Sequence, residues 1–163
     1  MKTSYFGRAN SNAFKGRDDL RFVSVARSCR YWNGEKYPAL FPSWEMIQMD
    51  RDPEVARLSM KEQQELYEKV YREQILDKLD PLEVYEDLED AIILCHESID
   101  KIEAGETFCH RHMIAKWLEE ELWLQYNMDV KIPELTNEKE ELKKVLKRSK
   151  NIKGQMGFDD MDW

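Results

Sequence analysis

The chain has 163 residues, close to the usual size of one domain and long enough to bury a hydrophobic core. Apolar residues make up 42% and charged residues 36%, and the net charge of −8 at pH 7 argues against strong binding to duplex nucleic acid. No apolar run is long enough to span a bilayer, and residues 1–7 lack the apolar stretch of a secretory signal. The three cysteines contain no CxxC pair. These features together predict a reduced cytosolic protein.

Short apolar runs alternate with helical patterns along the chain. Strands are predicted at residues 3–6 and 20–26, the second of them rich in β-branched and aromatic residues. Residues 28–53 contain several prolines and aromatic residues, and we expect a long ordered loop there with a short helix at 44–49.

The middle of the chain contains two helix starts and one buried strand. A helix is predicted over residues 59–79, because Ser59 and Glu62 have the spacing of a capping box and apolar residues follow at helical intervals. Asp80 and Pro81 are typical of the N-cap and first position of the next helix. Residues 91–95 are apolar throughout, which predicts a central strand of a parallel sheet.

The last third of the chain is predicted to contain two helices and one strand. The helices cover residues 108–124 and 137–150, and the strand covers 128–132 before Pro133. Residues 1–150 are therefore expected to form a single three-layer α/β domain, with a small, mostly parallel sheet flanked by helices. Residues 151–163 are expected to be a flexible acidic tail.

Polar residues follow two of the predicted strands, at positions 27–29 and 95–97. Parallel sheets bind ligands beyond the carboxyl ends of their strands, so these segments should meet there. The helix predicted over 108–124 begins beside them with the sequence Cys109-His110-Arg111-His112. Cationic donors at the positive end of a helix favour a phosphate or carboxylate, so an anion-binding site is predicted at this edge.

Three side chains near this edge are candidates for catalysis. Glu97 is the best carboxylate candidate and would orient His110, which would serve as general acid or base. Cys109 is a candidate nucleophile because it lies at a helix N-terminus beside a histidine. Each has a structural alternative: Glu97 in a salt bridge to Arg111 or Arg27, His110 on a backbone carbonyl, and Cys109 as a buried core residue.

Arginine and aromatic side chains are candidates for substrate binding. Arg27, Arg30 and Arg111 offer planar guanidinium groups suited to phosphate or carboxylate, and Arg111 falls on the solvent side of a helical wheel. Residues 1–36 hold eight basic residues against three acidic ones, which favours a local positive pole or simple pairing with acidic helices. Trp32 and Tyr37 could stack on a base or ring, or could cover a small core.

A metal site and a cofactor are not expected. His110 and His112 are two positions apart and face different sides of the helix, unlike the i, i+4 pairs of zinc enzymes. Convergence of two chain segments on a metal, with Cys95 as a ligand, stays open. The sequence contains no Gly-rich phosphate loop and no Gly-x-Ser-x-Gly elbow.

Four segments together resemble a known family: residues 22–27, 37–42, 92–97 and 108–111. The most specific part is the pairing of Leu-Cys-x-Glu at 94–97 with Cys-His-Arg at 109–111. On these residues the chain resembles the domain-of-unknown-function family numbered 488, over residues 3–132. The resemblance implies an α/β sandwich without an agreed biochemical activity, found widely in bacteria and their phages. The chain differs in His96, where an aromatic residue is commoner, and in a longer spacer at 98–108.

Two functions are compatible with these residues. The first is an enzyme acting on a nucleotide, a nucleoside or a nucleic-acid end, with Arg27, Arg30 and Arg111 holding an anion and Glu97 or His110 moving protons. The second is a non-catalytic binding or sensor protein for a small anionic ligand or a protein partner.

Overall fold

A computed structural model describes residues 1–156 of the chain. The strands are β1 (Lys2–Tyr5), β2 (Arg21–Ser24), β3 (Glu35–Lys36) and β4 (Ala91–Cys95). These four strands form one parallel sheet in the order β1-β4-β2-β3. The α-helices are α1 (Phe6–Ala9), α2 (Trp44–Ile47), α3 (Pro53–Ala56), α4 (Met60–Gln74), α5 (Pro81–Leu88), α6 (Ile99–Glu103), α7 (His110–Tyr126) and α8 (Glu138–Met156). Short 3₁₀ turns cover Pro38–Leu40, Met49–Arg51 and Leu76–Lys78.

The central strand is β4, as predicted from its unbroken apolar sequence. It pairs with β1 on one side and with β2 on the other, and all its residues are buried. Alternate side chains of a strand point to opposite faces of the sheet. Ile93 accordingly packs in the larger core with side chains of α4, α5 and α7, whereas Ile92 and Leu94 pack in a smaller core with α1. Both faces of the sheet are covered, which confirms the predicted α/β architecture.

The alternation along β4 also determines the direction of its last residue. Cys95 lies two positions after Ile93 and therefore faces the same side of the sheet as α7. The first residues of α7 meet it there, and Met113, Ile114, Trp117 and Leu118 of that helix fill the larger core. Packing of α7 against the sheet thus fixes the position of its N-terminus relative to the end of β4.

The helix starts predicted from capping residues are confirmed. The Ser59 side chain accepts a hydrogen bond from the Glu62 backbone N–H, and the Glu62 carboxylate accepts one from the Ser59 N–H. Asp80 caps α5 with Pro81 at its first position. The first of these helices ends at Gln74, before the predicted residue 79, because the chain tightens into a 3₁₀ turn.

The strand predicted at residues 128–132 is wrong. The N–H of Ile132 donates to the Glu119 carboxylate at 2.7 Å instead of to a neighbouring strand. The chain reaches the sheet at Pro133, which has no N–H but can accept through its carbonyl. Thr3 donates its N–H to the Pro133 carbonyl at 3.0 Å, and the Thr3 carbonyl accepts from the Leu135 N–H at 2.8 Å. Residues 133–135 therefore run beside β1 as a short bridge.

The C-terminal end of the described chain differs from the prediction. The last helix, α8, continues through Met156, beyond the predicted end at residue 150. Residues 157–163, the remainder of the predicted acidic tail, lie outside the described residues. Between residues 1 and 156, none of the helices combines the length and the apolar character needed to cross a membrane.

Candidate functional site

A cavity of about 330 Å³ lies at the carboxyl ends of β2 and β4. This is the edge at which parallel sheets bind ligands, and it is where the sequence predicted a site. Segments 26–28, 95–97 and 107–110 supply most of its polar lining. The rest of the wall is largely apolar and is formed by Pro42, Met46, Ile47, Met49, Val55, Met60 and Tyr67, together with the polar residues Asp50 and Gln63.

Three buried side chains meet in the lining of this cavity. Cys95 comes from the end of β4, Cys109 is the N-cap residue of α7, and His110 is the first residue of that helix. One ligand atom from each residue, namely the two sulfurs and one ring nitrogen, lies within 4.8 Å of the other two. We call these three residues the Cys₂His cluster.

The hydrogen bonds of His110 determine which of its nitrogens carries a proton. Nε2 lies 2.9 Å from the carbonyl oxygen of Val25, which can only accept, so Nε2 carries the hydrogen. Nδ1 of the neutral ring then has a free lone pair and lies 3.1 Å from Sγ of Cys95. The ring is therefore held between the residue that follows β2, which supplies the carbonyl, and the last residue of β4, which supplies the sulfur. The Cys95 thiol donates to Nδ1 when it is protonated.

The two thiols of the cluster have opposite pKa shifts. Burial alone would raise the pKa of Cys109, but contacts with Cys95 and His110 and the charge of Arg111 lower it well below the ordinary value. Burial, followed by the neighbouring Cys109, raises the pKa of Cys95. Of the two thiols, Cys109 is therefore the one that loses its proton more readily.

Arg111, predicted to bind substrate, does not line the cavity. Its side chain has 0% exposure and forms a two-point ion pair with Glu134, with Nη2–Oε1 at 2.8 Å and Nε–Oε2 at 3.3 Å. Nη1 donates to the main-chain carbonyl of Glu97 at 2.6 Å, and the guanidinium lies over the ring of Tyr5. Its donors are used inside the protein because residues 133–135 cover this part of α7.

Sequence reasoning missed Glu134 altogether. Burial would raise the pKa of this carboxyl group, but hydrogen bonds from His112, Arg111 and Thr3 lower it to about 2. His112 lies 2.9 Å from Oε2 of Glu134 and therefore faces away from the Cys₂His cluster. No local pattern signals this carboxylate, since it lies 23 positions from Arg111.

The predicted partners of Glu97 are not the observed ones. Both ring nitrogens of His110 are occupied by Val25 and Cys95, so Glu97 does not orient that ring. The predicted salt bridge of Glu97 is also absent from residues 1–156, because Arg111 pairs with Glu134. The half-buried Glu97 side chain instead lines the cavity with its carboxylate unpaired within the described chain.

Arg27 is the predicted substrate-binding arginine that lines the cavity. Nε donates to the carbonyl oxygen of Pro42 at 2.7 Å, and the guanidinium lies 5.3 Å from the ring centroid of Trp44. These contacts hold the side chain in place. Within residues 1–156 the terminal nitrogens Nη1 and Nη2 have no hydrogen-bond partner, so they keep donors for a ligand.

The other predicted binding residues do not line this cavity. Arg30 is exposed outside it. Trp32 donates its Nε1–H to the carbonyl of Glu35 at 3.0 Å and packs against Phe22. The hydroxyl of Tyr37 donates to Asp87 at 2.6 Å. Both aromatic residues therefore stabilise the loop after β2 rather than offer a stacking surface in the cavity.

Comparison of the chain with protein-family models, with curated proteins and with solved structures found no match. The resemblance to the domain-of-unknown-function family numbered 488 therefore stays a prediction. Function has to be inferred from the residues that line the cavity.

Proposed function

We propose that the protein binds a small organic anion in the cavity and acts on it as an enzyme, with a nucleotide or nucleoside as the substrate class. The observation that carries this proposal is the position of Arg27. Its guanidinium is anchored through Nε and keeps two terminal nitrogens without partners in the described chain, beside a cavity that also contains Glu97. An anchored guanidinium is well suited to a phosphate or carboxylate because little side-chain freedom is lost on binding.

The size and walls of the cavity favour a ligand with a flat apolar part. A volume of about 330 Å³ is at the lower end of the range of small-molecule sites, about 300–1,000 Å³. Met46, Met49 and Met60 supply adaptable apolar surface, and Tyr67 and Phe108 add aromatic surface that can contact a ring. A nucleotide or nucleoside combines such a ring with polar or charged groups.

Glu97 supports the enzymatic part of the proposal. A carboxylate unpaired within the described chain and half-buried in the lining of a cavity can move a proton to or from a bound ligand. The Cys109 thiol, whose pKa is lowered by its neighbours, is a further reactive group in the same lining. Charged and reactive groups are thus gathered around one small volume.

One observation favours the second candidate, a non-catalytic binding protein. His110 has both ring nitrogens bound within the protein and Arg111 is fully occupied, so two predicted catalytic or binding groups have internal roles. In this case Arg27 would provide affinity without any reaction following. The two candidates differ in what Glu97 does.

A thermal-shift screen tests ligand binding. Nucleotides, nucleosides, sugar phosphates and inorganic phosphate are each added to wild type, to Arg27→Gln and to the matched control Arg30→Gln, whose arginine is exposed outside the cavity. A ligand at a hundredfold excess over its Kd stabilises the folded state by about 2.7 kcal/mol. We expect a shift in wild type and in Arg30→Gln that is lost in Arg27→Gln. No shift with any compound, or equal shifts in all three proteins, would contradict the proposal.

Glu97→Gln then separates the two candidates. With the ligand found in the screen, an enzyme should keep its affinity and lose turnover in this variant, measured by product formation. A binding protein should show no turnover in wild type either, and the variant should alter affinity alone.

We also propose that the protein is cytosolic. Its three cysteines are free thiols, and two of them lie in the lining of the candidate site. Free thiols persist in reducing compartments and are readily oxidised outside them.

A further inference from the structure

We propose that Cys95, Cys109 and His110 form a zinc-binding site with one coordination position open to the cavity. This inference goes beyond the proposed function, because it concerns a metal rather than an organic anion. Two cysteine sulfurs and one histidine nitrogen are a ligand set that Zn²⁺ prefers in proteins.

The spacing of the ligand atoms suits a tetrahedral ion. With Zn–S bonds of about 2.3 Å and Zn–N bonds of about 2.0 Å, neighbouring ligand atoms lie about 3.5–3.8 Å apart. In the structure Sγ of Cys95 is 3.1 Å from Nδ1 of His110, and all three ligand atoms lie within 4.8 Å of one another. Changes of about 1 Å or less, within reach of side-chain rotation, bring them to these separations.

His110 is oriented as a metal-binding histidine. Such residues usually donate their second ring N–H to a carbonyl or carboxylate, which fixes the tautomer and turns the other nitrogen toward the metal. Here the Nε2–H group donates to the carbonyl of Val25, and Nδ1 is left with its lone pair on the side of Cys95. The carbonyl belongs to the segment that follows directly after β2, so the orientation is set by the sheet.

The ligands lie on rigid elements, and their charges balance. Cys95 ends the fully buried strand β4, Cys109 is the N-cap residue of the 17-residue helix α7, and His110 is the first residue of that helix. The three side chains are each less than a tenth exposed. Two thiolates with Zn²⁺ form a neutral group, which avoids the cost of burying an uncompensated charge.

The cavity supplies the remaining coordination position. All three ligands line it, and three protein ligands with one open position are characteristic of catalytic rather than structural zinc. Of the other histidines, His112 is bound to Glu134 and His96 to the carbonyl of Ser28 at 2.8 Å, so neither completes the site. Water or a ligand atom from the cavity would be the fourth ligand.

Cobalt titration tests the site directly. The reduced, chelator-treated protein is titrated with Co²⁺ under anaerobic conditions, since Co²⁺ replaces Zn²⁺ and reports its ligands by colour. We expect one Co²⁺ per chain, with the visible bands of tetrahedral cobalt and the near-ultraviolet band of thiolate coordination. Cys29→Ser, which removes the cysteine outside the cluster, should keep both signals, and Cys109→Ser should lose the thiolate band or weaken it by about half. Unchanged bands in Cys109→Ser, or no bands in wild type, would overturn the proposal.

A second measurement needs no variant and therefore does not depend on whether Cys109→Ser folds. Wild type is treated with iodoacetamide with and without Zn²⁺, and alkylation of each cysteine is followed by mass spectrometry. Zinc should protect Cys95 and Cys109 and leave the labelling of Cys29 unchanged. If zinc left the labelling of both Cys95 and Cys109 unchanged, the proposed site would be overturned. Because only the metal is used, failure here leaves the organic-anion proposal standing, and failure of the thermal-shift screen leaves the metal site standing.

Discussion

Arg111 and Glu134 form a buried two-point ion pair, 2.8 Å between Nη2 and Oε1, that joins the first turn of α7 to the segment running beside β1. The same guanidinium binds the main chain of Glu97, in the lining of the cavity. The ion pair therefore stabilises the wall of the candidate site although neither of its side chains lines the cavity.

Removing one partner of this buried ion pair should destabilise the folded protein. Glu134→Ala leaves the Arg111 charge buried without compensation, so we expect the free energy of unfolding to fall by about 3–5 kcal/mol. Urea denaturation measures it. The matched control is Lys116→Ala on the same helix, which breaks an exposed ion pair with Glu68 and should cost about 0–1 kcal/mol. Equal losses in the two variants would show that the buried pair contributes no more than a surface one.

Stability should fall in acid through Glu134. Its folded-state pKa of about 2 lies below the ordinary value of 4.5, so the carboxylate stabilises the folded protein above pH 4.5 and loses this effect as the pH falls toward 2. The full effect is on the order of 3 kcal/mol. Unfolding free energies measured between pH 6 and pH 2, a range of about four units, should show a shallower decline in Glu134→Gln. An unchanged slope in that variant would assign the acid sensitivity to other carboxyl groups.

The hydroxyl group of Tyr71 should stabilise the folded protein. The buried hydroxyl donates to the carbonyl oxygen of Leu40 at 2.5 Å, and the ring packs edge-on against His110. Tyr71→Phe leaves that carbonyl unsatisfied and should lower stability by about 1–3 kcal/mol, measured by thermal or urea unfolding. Tyr126→Phe removes an exposed hydroxyl bonded to Asp80 and should change stability by about 0.5 kcal/mol or less. A Tyr71→Phe effect no larger than this control would contradict the prediction.

Asn127 ends α7 in the left-handed region, with φ of +55° and ψ of +34°. Glycine adopts this conformation without a Cβ clash, so Asn127→Gly should leave stability unchanged or slightly raised. Asn127→Val should lower it by about 1–2 kcal/mol, because the branched side chain strains the backbone. Melting temperatures of the two variants provide the comparison, and equal values would show that the backbone conformation costs nothing here.

The part of the site that follows from local sequence was predictable. An unbroken apolar run placed β4 in the centre of a parallel sheet, and the carboxyl ends of parallel strands then brought Cys95 and Arg27 to the same edge. The structural alternatives predicted for Cys109 and His110, a buried core position and a hydrogen bond to a backbone carbonyl, are both observed. These inferences use spacing within one element or the direction of neighbouring strands.

The roles that depend on distant segments were not predictable in this way. A helical wheel assigns Arg111 to the solvent, because it contains no information about the later segment that covers that side. The rule of two histidines one turn apart also missed the Cys₂His cluster, since its ligands come from a strand and a helix N-terminus. Such contacts depend on how elements pack, which a single sequence records only weakly.

The two edges of the sheet have a consequence for the behaviour of the protein in concentrated solution. At one edge, residues 133–135 lie beside β1 and bind the N–H and the carbonyl of Thr3. At the other, β3 has only two residues, Glu35 and Lys36, both charged and exposed. Exposed strand edges are templates on which other chains add and grow into aggregates, and short, charged or covered edges prevent that growth. The sheet is therefore protected against edge-to-edge polymerisation on both sides.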